Sequence, residues 1–199
     1  MTPAENKFED YFAHLKQISL LGRMYKRYWA SPILFWAARR FGKRIVEIGA
    51  GPGSGILGSF TGRVSGLEIN PHAVAYCREK GLDAKLIGAD GVLPVADNSF
   101  DVCVLDNVLE HIENPRVTLD ECLRVTARSG GLVISVPGLR GFASDSDHKT
   151  FYSERELQQL HPEWECLRML STPFLFRSRY LSATVRQYCL VAIYRKKDR

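Results

Sequence analysis

No apolar run in this chain approaches the 18 or so residues that a membrane-spanning helix requires, so no transmembrane segment is expected. Nor does it open on a basic and then apolar leader. MTPAENKFEDYF is polar and acidic, which reads as a cytoplasmic protein. Disulfide chemistry is equally ill provided for. The five cysteines, Cys77, Cys103, Cys122, Cys166 and Cys189, are odd in number and far apart, with no CxxC pair. That excludes a disulfide framework and a cysteine zinc site, and leaves them as small buried hydrophobes. Internal repeats and low-complexity tracts are also absent from the sequence.

What is present is 199 residues, 45% hydrophobic and 25% charged, enough for one globular domain with a real core. The charge is uneven. Lys and Arg outnumber Asp and Glu eight to three over residues 1–43, and nine to five over 151–199. Over 44–150 the balance is ten to fourteen. Basic ends flank an acidic middle, so an anionic partner is sought at the ends.

Short strand-like segments alternate with helical ones through the middle. Arg44–Ile48, Arg63–Ile69, Ala84–Gly88, Phe100–Leu105 and Gly131–Val136 read as strands. Gly55–Phe60, Pro71–Lys80 and Val117–Thr126 read as helices, with Pro71 at a helix start where its missing N–H costs nothing. Such alternation implies a parallel sheet covered on both faces. Beyond Thr150, Ser153–Leu160 reads as a helix with a capping box of Ser153 and Glu156. Two late strands follow near Glu165–Leu170 and Tyr188–Tyr194, the last antiparallel or edge-like. Ahead of the first strand, residues 7–41 look helical. Phe8, Tyr11, Leu15, Ile18, Leu21, Tyr25 and Tyr28 recur at roughly helical spacing, with Lys7, Lys16, Arg23, Lys26 and Arg27 among them. Residues 1–43 are expected as a helical cap on a domain of residues 44–199. Either the cap closes over the sheet and a pocket, or it offers a basic amphipathic surface to a membrane-bound or lipid-linked molecule.

The stretch VEIGAGPGSGIL, residues 46–57, holds four glycines behind an apolar run. Glycines between a strand and a helix let backbone N–H groups approach a ligand closely. A phosphate-binding P-loop fails here, because Ser59 stands where its lysine must be. The dinucleotide pattern GxGxxG fails at Ser54, where its third glycine would fall. What stands is GxGxG, on Gly49, Gly51 and Gly53, preceded by Glu47.

That form resembles motif I of the class I S-adenosylmethionine (SAM)-dependent methyltransferases, and four further stretches agree with it in order. Glu68 closes the second strand in GLEIN, followed by Ile69. Asp90 and Gly91 lie in GADG after the third. LPVADNSFDVCVLDNVLEHIENP, residues 93–115, and SGGLVISVP, residues 129–137, resemble the family's fourth and fifth strands. The resemblance implies a Rossmann-like α/β sandwich, with a seven-stranded, mostly parallel sheet and helices on both faces. It implies SAM as cofactor. Glu68 would accept the ribose hydroxyls and Asp90 the adenine amino group, with Ile69 and Gly91 beside them. Asn107 would touch SAM through backbone or side chain. Glu47 would bond the loop's N–H groups or the ligand's ammonium. Asp106 is either a ligand contact or a cap, and His111 is either structural or part of the active site.

Methyl transfer from a sulfonium needs little beyond alignment, with a general base where the acceptor is an oxygen. Adenine- and amide-directed enzymes carry an NPPY-like motif; here DNVL, residues 106–109, stands in its place. Cys103 lies within a strand and does not suit cytosine chemistry. Clustered cysteines for arsenic methylation are lacking. Asp145, Asp147 and His148 form a close group but read as a solvated loop, so no metal is expected. DHKTFYSEREL, residues 147–157, resembles methyltransferases acting on quinones, polysaccharides and lipid-linked sugars. On that resemblance His148 is the candidate base or acceptor-positioning group, and Phe151 and Tyr152 are pocket walls. Arg177, Arg179 and Arg186 lie among aromatics over residues 174–188, suited to phosphate. The expected function is methyl transfer to an oxygen of a small or lipid-linked acceptor (glycan, quinone or lipid intermediate), with peripheral membrane contact through the basic ends. An RNA methyltransferase and a non-catalytic SAM-binding regulator are the alternatives. Nucleic acid is disfavoured because the basic residues do not form one run.

Overall fold

The computed structural model describes residues 8–9, 12–13 and 20–197. Lys7, Tyr11, Leu15, Lys16 and Ile18 of the N-terminal pattern lie outside them. Seven strands form one sheet: β1 (Ile45–Ile48), β2 (Val64–Glu68), β3 (Ala84–Leu86), β4 (Phe100–Asp106), β5 (Thr126–Pro137), β6 (Trp164–Thr172) and β7 (Cys189–Lys196). Their order is β3-β2-β1-β4-β5-β7-β6. The pairs β1–β2, β1–β4, β2–β3 and β4–β5 are parallel, whereas β7 runs antiparallel to both β5 and β6. The last strand is therefore antiparallel, as expected, but interior; β6 takes the edge.

The central strands are apolar throughout because helices cover both faces. Alternate side chains enter two separate cores. Val46, Ile48, Cys103, Leu105, Leu132 and Ile134 join one, and Ile45, Val102, Val104 and Val133 the other. Over the first face lies α5 (Arg116–Val125), through Leu119, Cys122 and Val125. The second is covered by α2 (Ser31–Arg39), α3 (Ile56–Ser59) and α4 (Pro71–Glu79). Leu34, Phe35, Ala37 and Ala38 of α2 are all buried there. Ahead of α2 come α1 (Leu20–Tyr25) and a π-helical turn, Lys26–Ala30.

Local signals set the helix starts. The Asn70 side chain accepts from His72 N–H and Ala73 N–H, and Pro71 follows it. Ser153 and Glu156 form the expected capping box on α7 (Glu154–Gln158). The sequence did not announce two short helices, α6 (Leu139–Phe142) and α8 (Arg179–Thr184). Thr126, expected to end α5, instead opens β5 and bonds back to the Cys122 carbonyl at 2.6 Å. No helix among the described residues is long and apolar enough to cross a membrane.

Candidate active site

Ligands in open parallel sheets gather beyond the carboxyl ends of the strands, where the strand order reverses. Here that point lies between β1 and β4. The glycine loop leaves β1 with Gly49, Gly51 and Gly53 all at positive φ. Side chains are excluded there. A Cβ on Gly49 would meet Val108 Cγ2 at 2.6 Å, and one on Gly55 would strike the Glu47 carboxylate.

Two buried acids hold this loop. Glu47, at the end of β1, accepts from Ile56 N–H at 3.3 Å and Leu57 N–H at 2.7 Å. It thereby satisfies the first N–H groups of α3. Burial pushes its carboxyl up to about 7; the neighbouring Asp106 charge adds to this, and the bonds from Leu57 and Ile56 oppose it. Glu68, at the end of β2, accepts from Gly51 N–H at 2.7 Å and Asn70 N–H at 2.8 Å. Burial raises its pKa as well, against those backbone bonds. One carboxylate thus fixes the loop's far end, and the other joins the loop to the start of α4.

Asp106 closes β4 beside them. Its Oδ1 accepts from Asn107 Nδ2 at 2.9 Å, and its Oδ2 pairs with Lys26 Nζ at 3.2 Å. Asn107 adopts a positive φ of 56° and donates its backbone N–H to Ser135 O at 2.9 Å. The Asp106 carboxylate is the main cause of a raised Lys26 pKa. Lys26 reaches this point from the π-helical turn, beside two further ties. Tyr25 OH donates to Gln187 O at 3.0 Å, and Trp29 Nε1 to Pro173 O at 2.7 Å.

Other expected residues sit further out. Asp90 is exposed, with its Oδ1 accepting from Val92 N–H at 3.1 Å, and Gly91 supplies the turn at φ 76°. Ile69, 45% exposed, follows β2 directly. His111 lies in a 3₁₀ turn, Leu109–His111, just past Asn107. His148 comes from the loop after α6. Their rings approach to 4.7 Å between centroids, and His148 stacks on Phe142 at 5.2 Å. The fold therefore joins His111 and His148, which the sequence separates by 37 positions.

Sequence reasoning missed two residues here. Lys26 was read only as one basic residue of a helical cap or basic surface, and its partner lies 80 positions away. Glu110 was passed over inside LEHI, although a charged pair, Glu110 and His111, between Leu109 and Ile112 was a visible signal. Glu110 is 0% exposed, and neither carboxylate oxygen finds a hydrogen-bond donor among the described residues. Burial pushes its pKa up to about 8.

Residues 46–134 match the methyltransferase domain family. The chain is 36% identical over 97 residues to an uncharacterized methyltransferase of Mycobacterium sp. (strain KMS), covering 47% of this chain and 38% of that protein. One from Mycobacteroides abscessus is 37% identical over 101 residues, covering 47% and 39%. The chain thus spans about two fifths of the length of these curated relatives. Among solved structures, a SAM-dependent methyltransferase from Aquifex aeolicus superposes with a TM-score of 0.64 at 15% identity, covering 97% of this chain and 98% of that one. A chain from the complex between the Haloferax volcanii Trm112 methyltransferase activator and a methyltransferase gives 0.69 at 18%, covering 96% and 98%. Those two likenesses speak for the fold, and the matched stretch spans the glycine loop through β5. The chain thus carries a stretch, residues 46–134, similar to the methyltransferase domain family, on a fold shared with SAM-dependent methyltransferase structures.

Proposed function

We propose that this chain transfers the methyl group of SAM to an oxygen of a small or lipid-linked acceptor. The observation that carries the reading is the glycine loop held open by Glu47 and Glu68 at the switch point, with a polar cluster of Glu110, His111 and His148 beside it. The fit of SAM follows from the donor set. Three backbone-exposing glycines face a ligand without side-chain obstruction, and Ser59 stands at the position of a P-loop lysine. Glu68 would accept the ribose hydroxyls on the lone pairs that its bonds to Gly51 and Asn70 leave free. Ile69, Asp90 and Gly91 would hold the adenine, and Asn107 the methionine side. Bound SAM supplies an electrophilic methyl group on a sulfonium. The protein's own part is to hold the acceptor oxygen in line with it and to accommodate the hydroxyl proton. His148 and His111 stand on that side.

Lipid-linked or phosphorylated acceptors are favoured by exposed aromatics on the turn ahead of α2 and on the C-terminal segment. Tyr28, Trp29, Phe174, Phe176 and Tyr180 are each at least 40% exposed, and the Trp29–Pro173 bond brings the two segments together. Arg179 and Arg186 lie in the same C-terminal stretch. A patch of this kind is uncommon on a surface with no partner.

Calorimetric titration with SAM, its demethylated product and NAD tests the cofactor. Micromolar binding of the first two and none of NAD is expected. Radiolabelled methyl transfer to a panel of hydroxyl, amine and RNA acceptors then tests the substrate class. SAM binding without turnover on any acceptor would favour the regulatory alternative, and turnover on RNA alone would overturn the small-molecule reading.

A further inference from the structure

We propose that Glu110, His111 and His148 form a binding site for one divalent transition-metal ion, with an open position turned toward the methyl acceptor. One ligand atom from each residue lies within 4.8 Å of the other two. Ligands held about 2.0–2.2 Å from a common ion stand about 3–3.6 Å apart, so these atoms close by up to about 1.5 Å to take one. Two imidazoles and one carboxylate make a mixed nitrogen and oxygen set, which suits zinc, manganese or iron(II) better than magnesium.

Two independent features call for a cation at this point. The first is Glu110, fully buried, with both oxygens unpartnered among the described residues. A buried carboxylate left so is costly unless a positive charge meets it. The second is the state of His148. Its Nδ1 lies 2.9 Å from the Phe142 carbonyl, which can only accept, so Nδ1 carries the hydrogen. In the neutral ring the Nε2 lone pair then lies 3.9 Å from Glu110 Oε1. Two acceptors facing each other across that gap repel, and an ion between them removes the conflict. A carbonyl holding the far nitrogen of a ligating histidine is the usual outer-shell support.

The ligands are also fixed in place. Lys149 N–H and Thr150 N–H both donate to the Glu110 carbonyl, at 2.7 and 3.1 Å, pinning the His148 loop to the 3₁₀ turn. Asp147 Oδ2 lies 3.4 Å from His111 Nδ1, and Asp145 Oδ2 3.9 Å from His148 Nε2, so the surroundings are anionic. His148 had looked like part of a solvated loop because Glu110 and His111 come from a different element.

The site's role rests on the function proposed above; its existence does not. An acceptor hydroxyl bound to the ion loses its proton to solvent more readily. Its oxygen forms a bond to the methyl carbon as the carbon–sulfur bond breaks. The bonding pair goes to sulfur, leaving a neutral thioether.

The test is calorimetric titration of the untagged, chelator-treated chain with Zn²⁺, Mn²⁺ and Mg²⁺ separately, alongside a SAM titration. We expect one Zn²⁺ or Mn²⁺ per chain and weak or no Mg²⁺ binding. Glu110→Gln and His148→Asn should each weaken binding by at least about tenfold, judging by the loss from weaker outer-shell changes. His148→Asn, in a loop, keeps the test open if the buried Glu110→Gln fails to fold, and His72→Asn should leave binding unchanged. No stoichiometric ion, or an affinity indifferent to His148→Asn, would overturn the site. SAM binding without metal binding would sink this inference and spare the proposed function; metal binding without SAM binding would do the reverse.

Discussion

Replacing Gly49 by alanine asks whether backbone shape builds the cofactor loop. Gly49 sits at φ 72°, and its new Cβ would lie 2.6 Å from Val108 Cγ2. Two separate costs follow. Holding an L-residue in the left-handed region costs about 1–2 kcal/mol. Overpacking against a branched side chain costs about 1–3 kcal/mol. Together they make roughly 2–5 kcal/mol, a large share of the 5–15 kcal/mol typical of a domain. At about 2–4 °C per kcal/mol for a chain of this size, Gly49→Ala should melt roughly 5–15 °C early. Only the second cost belongs to Val108. The double variant with Val108→Ala should therefore recover about 1–3 kcal/mol relative to the sum of the single changes. Denaturant and thermal melts of the four proteins measure this directly. Wild-type stability in Gly49→Ala would refute the strain, and strict additivity with Val108→Ala would refute the clash.

Three more outcomes are expected. Glu47 has its carboxyl raised to about 7 from an ordinary 4.5, so the folded chain holds this proton more tightly than the unfolded one. Its contribution is full below about pH 4.5 and is lost as pH rises to about 7, on the order of 3 kcal/mol. Glu47→Gln should flatten the stability profile between pH 5 and 7, and an unchanged slope in denaturant melts would count against the assignment. Arg124 donates to the Leu93 and Val95 carbonyls at 2.9 Å each, and to Asp97 and Glu121, so it ties the loop before β4 to α5. Arg124→Ala should cost about 1–3 kcal/mol and raise hydrogen exchange over residues 93–97; exchange equal to wild type would contradict the tie. Asp90→Ala should weaken SAM binding by about 1–3 kcal/mol at unchanged melting temperature, since Asp90 is exposed, and unaltered affinity would remove Asp90 from the adenine site.

What the sequence disclosed and what it hid divide along physical lines. The strands were legible because a doubly covered sheet demands continuous apolar segments, as in FDVCVL and GLVISV. The glycine loop was legible because positive φ at three alternating positions leaves little choice of residue. Both are local constraints, written where they act. The place of β7 is not local. Nothing in CLVAIYRK says that it inserts between β5 and β6; that follows from seven register pairs with Gly131–Pro137 and from the burial of Val191 and Ile193. The charged residues of the site are less local still. Lys26 meets Asp106 only because α2 packs its apolar side, Leu34 to Ala38, under the sheet and so carries the preceding turn to the end of β4. Glu110 meets His148 only because α6 and its loop fold back onto the 3₁₀ turn. Periodicity assigned Lys26 to a helical cap or basic surface, and composition assigned His148 to a loop; each assignment holds for the segment alone. Such residues become legible from sequence through one clue, a charge set among residues that have every reason to be buried. Glu110, paired with His111 between Leu109 and Ile112, carries that clue, and the structure supplies the partners that such a charge requires.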